Sequence, residues 1–259
     1  MNKKREYQLK LKRGRIFRFF KKFVGLFKRK PAIINLSGEE LKDKAIYLSN
    51  HAGASGPLSY ELYFPKRVTN WGTFEMLGGY KERWKYLYHI FYRQKLHWGK
   101  FRSFIVASLF APISILCYRA IGLIPTYPDA RFHSTLKTSC RILDENSALL
   151  IFPEDSSQGY IEPPVSFYQG FVALSKIYKK KRNEDVPVYN CYYSAKARVL
   201  VISKPMYVNQ MLESGMTMEE IAEEALRINH DLYQNYVQVA SKKKRKGKVK
   251  VKAKQVKAV

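Results

Sequence analysis

Ile46-Tyr47-Leu48-Ser49-Asn50-His51-Ala52-Gly53 is the stretch on which the fold turns. Residues 45–48 form an apolar, β-prone run that stops abruptly in a polar turn carrying a histidine. Gly53, Ser55, Gly56 and Pro57 then loosen the chain before the next apolar stretch. A strand that ends in such a turn and opens onto a helix is where open α/β sheets place their chemistry, at the strand's carboxyl end. Histidine is the side chain whose ordinary pKa lets it take up and return a proton near neutral pH. A histidine beside an asparagine in a turn is also a common structural hydrogen-bonding arrangement, so the choice depends on what the rest of the chain adds.

Residues 148–157, Ala-Leu-Leu-Ile-Phe-Pro-Glu-Asp-Ser-Ser, repeat the pattern: a buried apolar strand running into a turn with carboxylates. Residues 120–127 and 185–190 supply two more short strands, and 33–36 and 67–72 read as further ones. Residues 186–192 and 197–202 alternate as strands that could pair as a hairpin. Helices are predicted from Pro57 to Phe64 with Leu58, Leu62 and Tyr63 inward, over 129–146, over 167–178, and from the Thr217-Met218-Glu219-Glu220 capping box to about Val239. Strand-helix-strand succession implies parallel neighbours. The expected architecture is therefore α/β, a single domain with a mixed, mostly parallel sheet flanked by helices. Residues 104–118 form a nearly unbroken apolar run containing Pro112, short for a membrane span. It reads equally as a central core helix or as a segment that lines an acyl-chain groove or rests on lipid.

Four blocks in this order resemble the glycerolipid acyltransferase family, the lysophosphatidic-acid and glycerol-3-phosphate acyltransferases. The matching residues are Asn50, His51 and Gly53, then Gly122 and Ile124, then Phe152-Pro153-Glu154, then Pro187-Val188. The resemblance spans residues 40–210. It implies transfer of an acyl group from a thioester, acyl-CoA or acyl carrier protein, to a hydroxyl of a lysophospholipid or related lipid acceptor, with no resident cofactor or metal. His51 would be the general base, with Glu154 positioning the acceptor or shaping the local field. Asn50 and Gly53 would shape the turn and offer an oxyanion donor, and Phe152, Pro153, Ser156 and Arg131 would border the acceptor. The plainer reading of Glu154 is a strand-end carboxylate held by backbone N–H groups.

The departures fall on working positions. Gly56 stands where the family's His-x4-Asp box has its aspartate, and Asp155-Ser156-Ser157 replace Gly-Thr-Arg. Tyr127 and Pro128 occupy the place of a usual arginine, with Arg131 close by. An orienting carboxylate is worth up to about 10⁴ in turnover in a triad. Asp155, at the family's glycine position, or Glu61 is expected to replace it, and without the arginine the acceptor need not carry a phosphate. The alternative is a catalytically impaired protein of this fold that binds anionic lipid or an acidic partner through its basic ends.

Charge sits at those ends. Of 47 Lys/Arg and 21 Asp/Glu in 259 residues, residues 1–30 hold 13 basic side chains against Glu6, and 241–259 hold 10 with no acid. The centre is left nearly balanced, 24 basic against 20 acidic. Three segments follow: a basic amphipathic segment at 1–30, an α/β domain at 31–240 and a disordered Lys-rich tail at 241–259. Ile16, Phe19, Phe20, Phe23 and Phe27 recur at helical spacing among cations, the pattern of a helix lying on an anionic membrane surface. A peripheral location on the cytoplasmic face of a membrane is expected. A nucleic-acid-binding reading rests on the tails alone, because the body has no stacking or zinc motif. Cys117, Cys140 and Cys191 are far apart in apolar segments, the pattern of small buried hydrophobes and not of a disulfide frame or metal site.

Overall fold

A computed structural model describes residues 15–53 and 55–241, apart from the side chains of 15–20. The Lys-rich tail expected to be disordered falls, from residue 242 on, outside the described residues, as do residues 1–14. The described chain is a single body around one sheet. Its strands are β1 (Ala32–Asn35), β2 (Ile46–Ser49), β3 (Val68–Thr73), β4 (Ile124–Thr126), β5 (Ala148–Ile151), β6 (Val188–Ser194) and β7 (Val199–Met206), in spatial order β1-β7-β6-β2-β5-β3-β4. Every neighbouring pair is parallel except the β6–β7 hairpin. The mixed, mostly parallel α/β sheet expected from the sequence is present.

The helices are α1 (Arg15–Phe27), α2 (Ser55–Tyr63), α3 (Tyr80–Lys85), α4 (Lys100–Ile121), α5 (Phe132–Asp144), α6 (Gly170–Arg182), α7 (Val208–Glu213) and α8 (Met218–Leu232), with a π-helical stretch at Tyr86–Lys95. The steps from β2 to β3 and from β3 to β4 run one way along the sheet, while β4 to β5 and β5 to β6 run back. Right-handed crossovers therefore set α2 and α4 on one face and α5 and α6 on the other. The cores agree. Ile46 and Leu48 of β2 pack with Leu136 and Phe171 of α5 and α6, whereas Tyr47 packs with Tyr60 of α2 and with Phe64. Covered on both faces, β2 and β5 are buried along their whole length, which is why they read as continuous apolar runs. The Thr217 capping box opens α8 as expected, its hydroxyl accepting from the Glu220 N–H.

Some boundaries differ. The strand expected at 120–127 shrinks to β4, because α4 continues to Ile121 and ends on Gly122 in the left-handed region at φ 66°. That conformation is glycine's usual helix-ending role. Leu58, expected inward, is exposed; Gly56, Ser59 and Tyr60 form the buried side of α2. Tyr63 instead holds α1, its hydroxyl donating to the Gly25 and Lys28 carbonyls. Phe167 precedes α6 and bridges to Glu154.

Candidate active site

Because β2, β3, β4 and β5 are parallel, their carboxyl ends share one edge of the sheet. In the β2–β5 register Leu48 pairs with Ile151, so His51 and Glu154, each three residues further on, leave the sheet side by side. Two stretches a hundred residues apart are thus brought together by one ladder.

Asn50 fixes the histidine turn. Its side chain donates to the Tyr193 carbonyl at 2.9 Å and accepts from the Tyr193 N–H at 2.8 Å, continuing the β2–β6 ladder by one side chain. Being so committed, Asn50 acts as a builder of the turn. Ala52 (φ 46°) and Gly53 (φ 60°) then carry the chain through the left-handed region into α2. A Cβ on Gly56 would stand 2.1 Å from the His51 carbonyl oxygen. Only glycine fits there, so this backbone excludes the aspartate of the resembling family.

The loop 153–168 folds back over the histidine. It is closed by Asp155 N–H to Ser166 C=O at 3.0 Å and Tyr168 N–H to Pro153 C=O at 2.7 Å. It is tied to the π-helical stretch by Gln94, whose amide donates to Ser157 C=O at 2.7 Å. This folding stacks Tyr160 on the His51 ring, centroids 4.5 Å apart and planes at 16°, with Phe152 on another side at 4.8 Å. The Tyr160 hydroxyl lies 3.5 Å from His51 Nε2. Nδ1 is buried with no hydrogen-bond partner among the described residues. Burial, then the nearby Lys95 ammonium, lower the imidazole's pKa to about 3, opposed only by the Gly53 backbone.

Glu154 is buried at 8% exposure, and its Oε1 has no partner among the described residues. Burial raises its pKa to about 7, against the lowering effect of the His51 backbone N–H donating to it and of Lys95. The plainer reading, a carboxylate at a strand end held by backbone, has the His51 N–H on its side, while Oε1 stands against it. Lys95 closes the cluster from the end of the π-helical stretch. Burial depresses its pKa while Glu154, Asp155 and Glu75 support the charge, and its ammonium lies 5.5 Å from the Tyr160 ring centre.

The other expected residues are placed as follows. Phe152 is half-buried against the His51 ring, Pro153 is buried, and Ser156 is half-buried, its carbonyl accepting from Gly159 N–H. Asp155 does not face the imidazole: its carboxylate takes the Ser157 N–H at 2.9 Å and the Tyr168 hydroxyl, which hold its pKa down. Glu61 lies 3.8 Å from Lys21 of α1. Neither carboxylate reaches Nδ1, so neither substitutes for the missing aspartate. Arg131 lies five residues beyond β4, a strand three places along the sheet from β2, about 14 Å away by strand spacing. It pairs with Asp129 at 2.7 Å and stacks on Phe74 and Tyr127. Lys95 and Tyr160 were missed by the sequence reading, since one resembles any surface lysine and the other any loop aromatic. Among the described residues no group of three or more His, Cys, Asp or Glu side chains could hold a metal ion. No protein-family model matches the chain, and a search of the curated proteins finds no match.

Proposed function

We propose that the chain is a membrane-associated acyltransferase that moves an acyl group from a thioester, acyl-CoA or acyl carrier protein, onto a hydroxyl of a lysophospholipid or related lipid acceptor. The observation that carries this reading is the pairing of His51 and Glu154 at one register position beyond β2 and β5. His51 is neutral near pH 7, the form a base needs, and its Nε2 is the nitrogen beside the Tyr160 hydroxyl. An acceptor hydroxyl in place of that phenol contact would give its proton to Nε2 and attack the thioester carbonyl. As the tetrahedral intermediate collapses the C–S bond breaks, and the imidazolium returns the proton to the departing thiolate, leaving the ester, the free thiol of the carrier and a neutral His51. Glu154, titrating near neutrality beside the Lys95 ammonium, would orient the acceptor and balance the charge that forms on the imidazole. With Arg131 remote and paired to Asp129, Lys95 is the cation available next to the pair.

One observation favours a second reading, a catalytically impaired protein of this fold that binds anionic lipid or an acidic partner through its basic ends. Nδ1 lacks an orienting carboxylate, and Gly56 excludes one. The two readings separate on transfer of labelled acyl groups from acyl-CoA and acyl carrier protein to acceptors with and without phosphate, in the presence of anionic vesicles. Product that disappears in His51→Ala supports the enzyme. Product equal to that control for every acceptor moves the account to the binding protein.

A further inference from the structure

Helix α4 is built inside out. The side that faces the body carries Ser103, Ala107, Ala111 and Ser114. The opposite side presents Phe101 (80% exposed), Phe104, Ile105, Leu109 (69%), Ile113 and Leu116 (67%) to the outside. At 100° per residue these exposed positions cover about half the helix circumference. No charged residue lies between Arg102 and Arg119, and both cations fall on the exposed arc, one near each end. A water-facing helix shows the reverse distribution, and a contiguous apolar surface of this kind marks an interaction site.

We propose that α4 lies flat along a lipid monolayer, with its outward face among the acyl chains and Arg102 and Arg119 at the level of the headgroup phosphates. This inference does not depend on the acyl-transfer reading. Lipid is the occupant that the charge pattern selects. Arg102 sits 3.7 Å from the Trp98 ring centre, a cation and an indole at one end of an apolar face, the pairing that anchors elements at a membrane interface. The crossover rule places α2 on the same side of the sheet as α4. The exposed Phe23, Leu26 and Phe27 of α1, docked on α2 through Tyr63, add a second apolar patch bordered by Lys22, Arg29 and Lys30. A second copy of the chain would have to bring like charges together, whereas an anionic monolayer neutralises them.

The helix is long and apolar enough to cross a bilayer by length and composition, but its surroundings argue for lying flat. The buried Arg83 donates from Nε to the Ala111 carbonyl at 3.2 Å, halfway along α4, and Trp84 Nε1 donates to Ser108 Oγ at 3.0 Å. Spanning would carry that guanidinium to the bilayer centre, where a charge is costly.

The test uses the full chain and vesicles of phosphatidylcholine and phosphatidylserine, with no substrate. The double variant Leu109→Glu/Leu116→Glu changes two exposed positions, so its circular dichroism spectrum is expected to match the parent's while its vesicle partition falls by about a hundredfold. Leu109→Trp is expected to be quenched by lipids with a quencher in the acyl region, and alkaline carbonate to release the bound protein. Equal partition of parent and double variant, an unquenched Leu109→Trp, retention in carbonate, or a dimer that the double variant dissociates without changing lipid binding would each overturn the proposal.

Discussion

His51 and Glu154 occupy matching positions on neighbouring strands, yet the chain secures them by different means. The histidine turn is locked from below: Asn50 prolongs the ladder to Tyr193, and α2 closes against the His51 carbonyl at Gly56. The glutamate turn is held from above by a loop that returns through Phe167 and ties to the π-helical stretch at Gln94. Burial then favours the neutral form of both, which lowers the base and raises the acid. The imidazole is thereby kept uncharged near neutral pH, while the carboxyl beside it gains its charge only as pH rises through about 7.

The strongest way to break this contrast is Gly56→Asp, which restores the motif residue of the resembling family. With Cβ 2.1 Å from a backbone oxygen, α2 must shift, and a loss of about 3–5 kcal/mol is expected in denaturant unfolding, with no gain in transfer rate. A stable, faster Gly56→Asp variant would remove the distinction between the two turns. Next is Glu154→Gln. The native carboxyl keeps its proton up to about pH 7, while the unfolded one loses it near 4.5. Its stabilising contribution is therefore complete below pH 4.5 and is lost as pH rises to 7, by about 3 kcal/mol. The glutamine variant should abolish that decline in melts across this window. His51 acts with the opposite sign: its contribution is present above its ordinary 6.5 and is lost as pH falls towards 3. Its ring proton shifts should accordingly stay flat in NMR titration between pH 5 and 8.

Asn50→Ala strands the Tyr193 N–H and C=O, and about 2 kcal/mol should be lost without moving the Glu154 titration. Lys95→Met has the smallest expected effect. Removing the ammonium should move both His51 and Glu154 upward by a fraction of a pH unit, readable by NMR, and an unchanged pair would place Lys95 outside the site.

How far the sequence alone reveals this arrangement follows from burial. β2 and β5 were legible because helices cover both faces and leave uninterrupted apolar runs, and β6 was legible from its alternation towards a hairpin with β7; the parallel order and the neighbourhood of His51 and Glu154 follow from the two apolar runs. The start of β4 was misread because Gly122 looks like part of a strand until it is seen ending a helix at positive φ. Leu58 was placed inward by its hydrophobicity, although Gly56 and Tyr60 define the buried side. The roles given to Asp155 and Glu61 failed for lack of direction: a carboxylate close along the chain bonds whatever its turn presents, here Ser157 and Tyr168 for Asp155. Tyr160 and Lys95 reach the histidine only through loop closure, which no local pattern encodes.

The most direct measurement of the central claim is the initial rate of labelled acyl transfer from acyl-CoA to a lysophospholipid. It would be taken on both sides of neutrality, for the parent chain, His51→Gln and Glu154→Gln. The account predicts a rate that climbs through about pH 7 in the parent as Glu154 ionises, loses that climb in Glu154→Gln, and falls by two orders of magnitude or more in His51→Gln. A parent rate no greater than that of His51→Gln at every pH would contradict it.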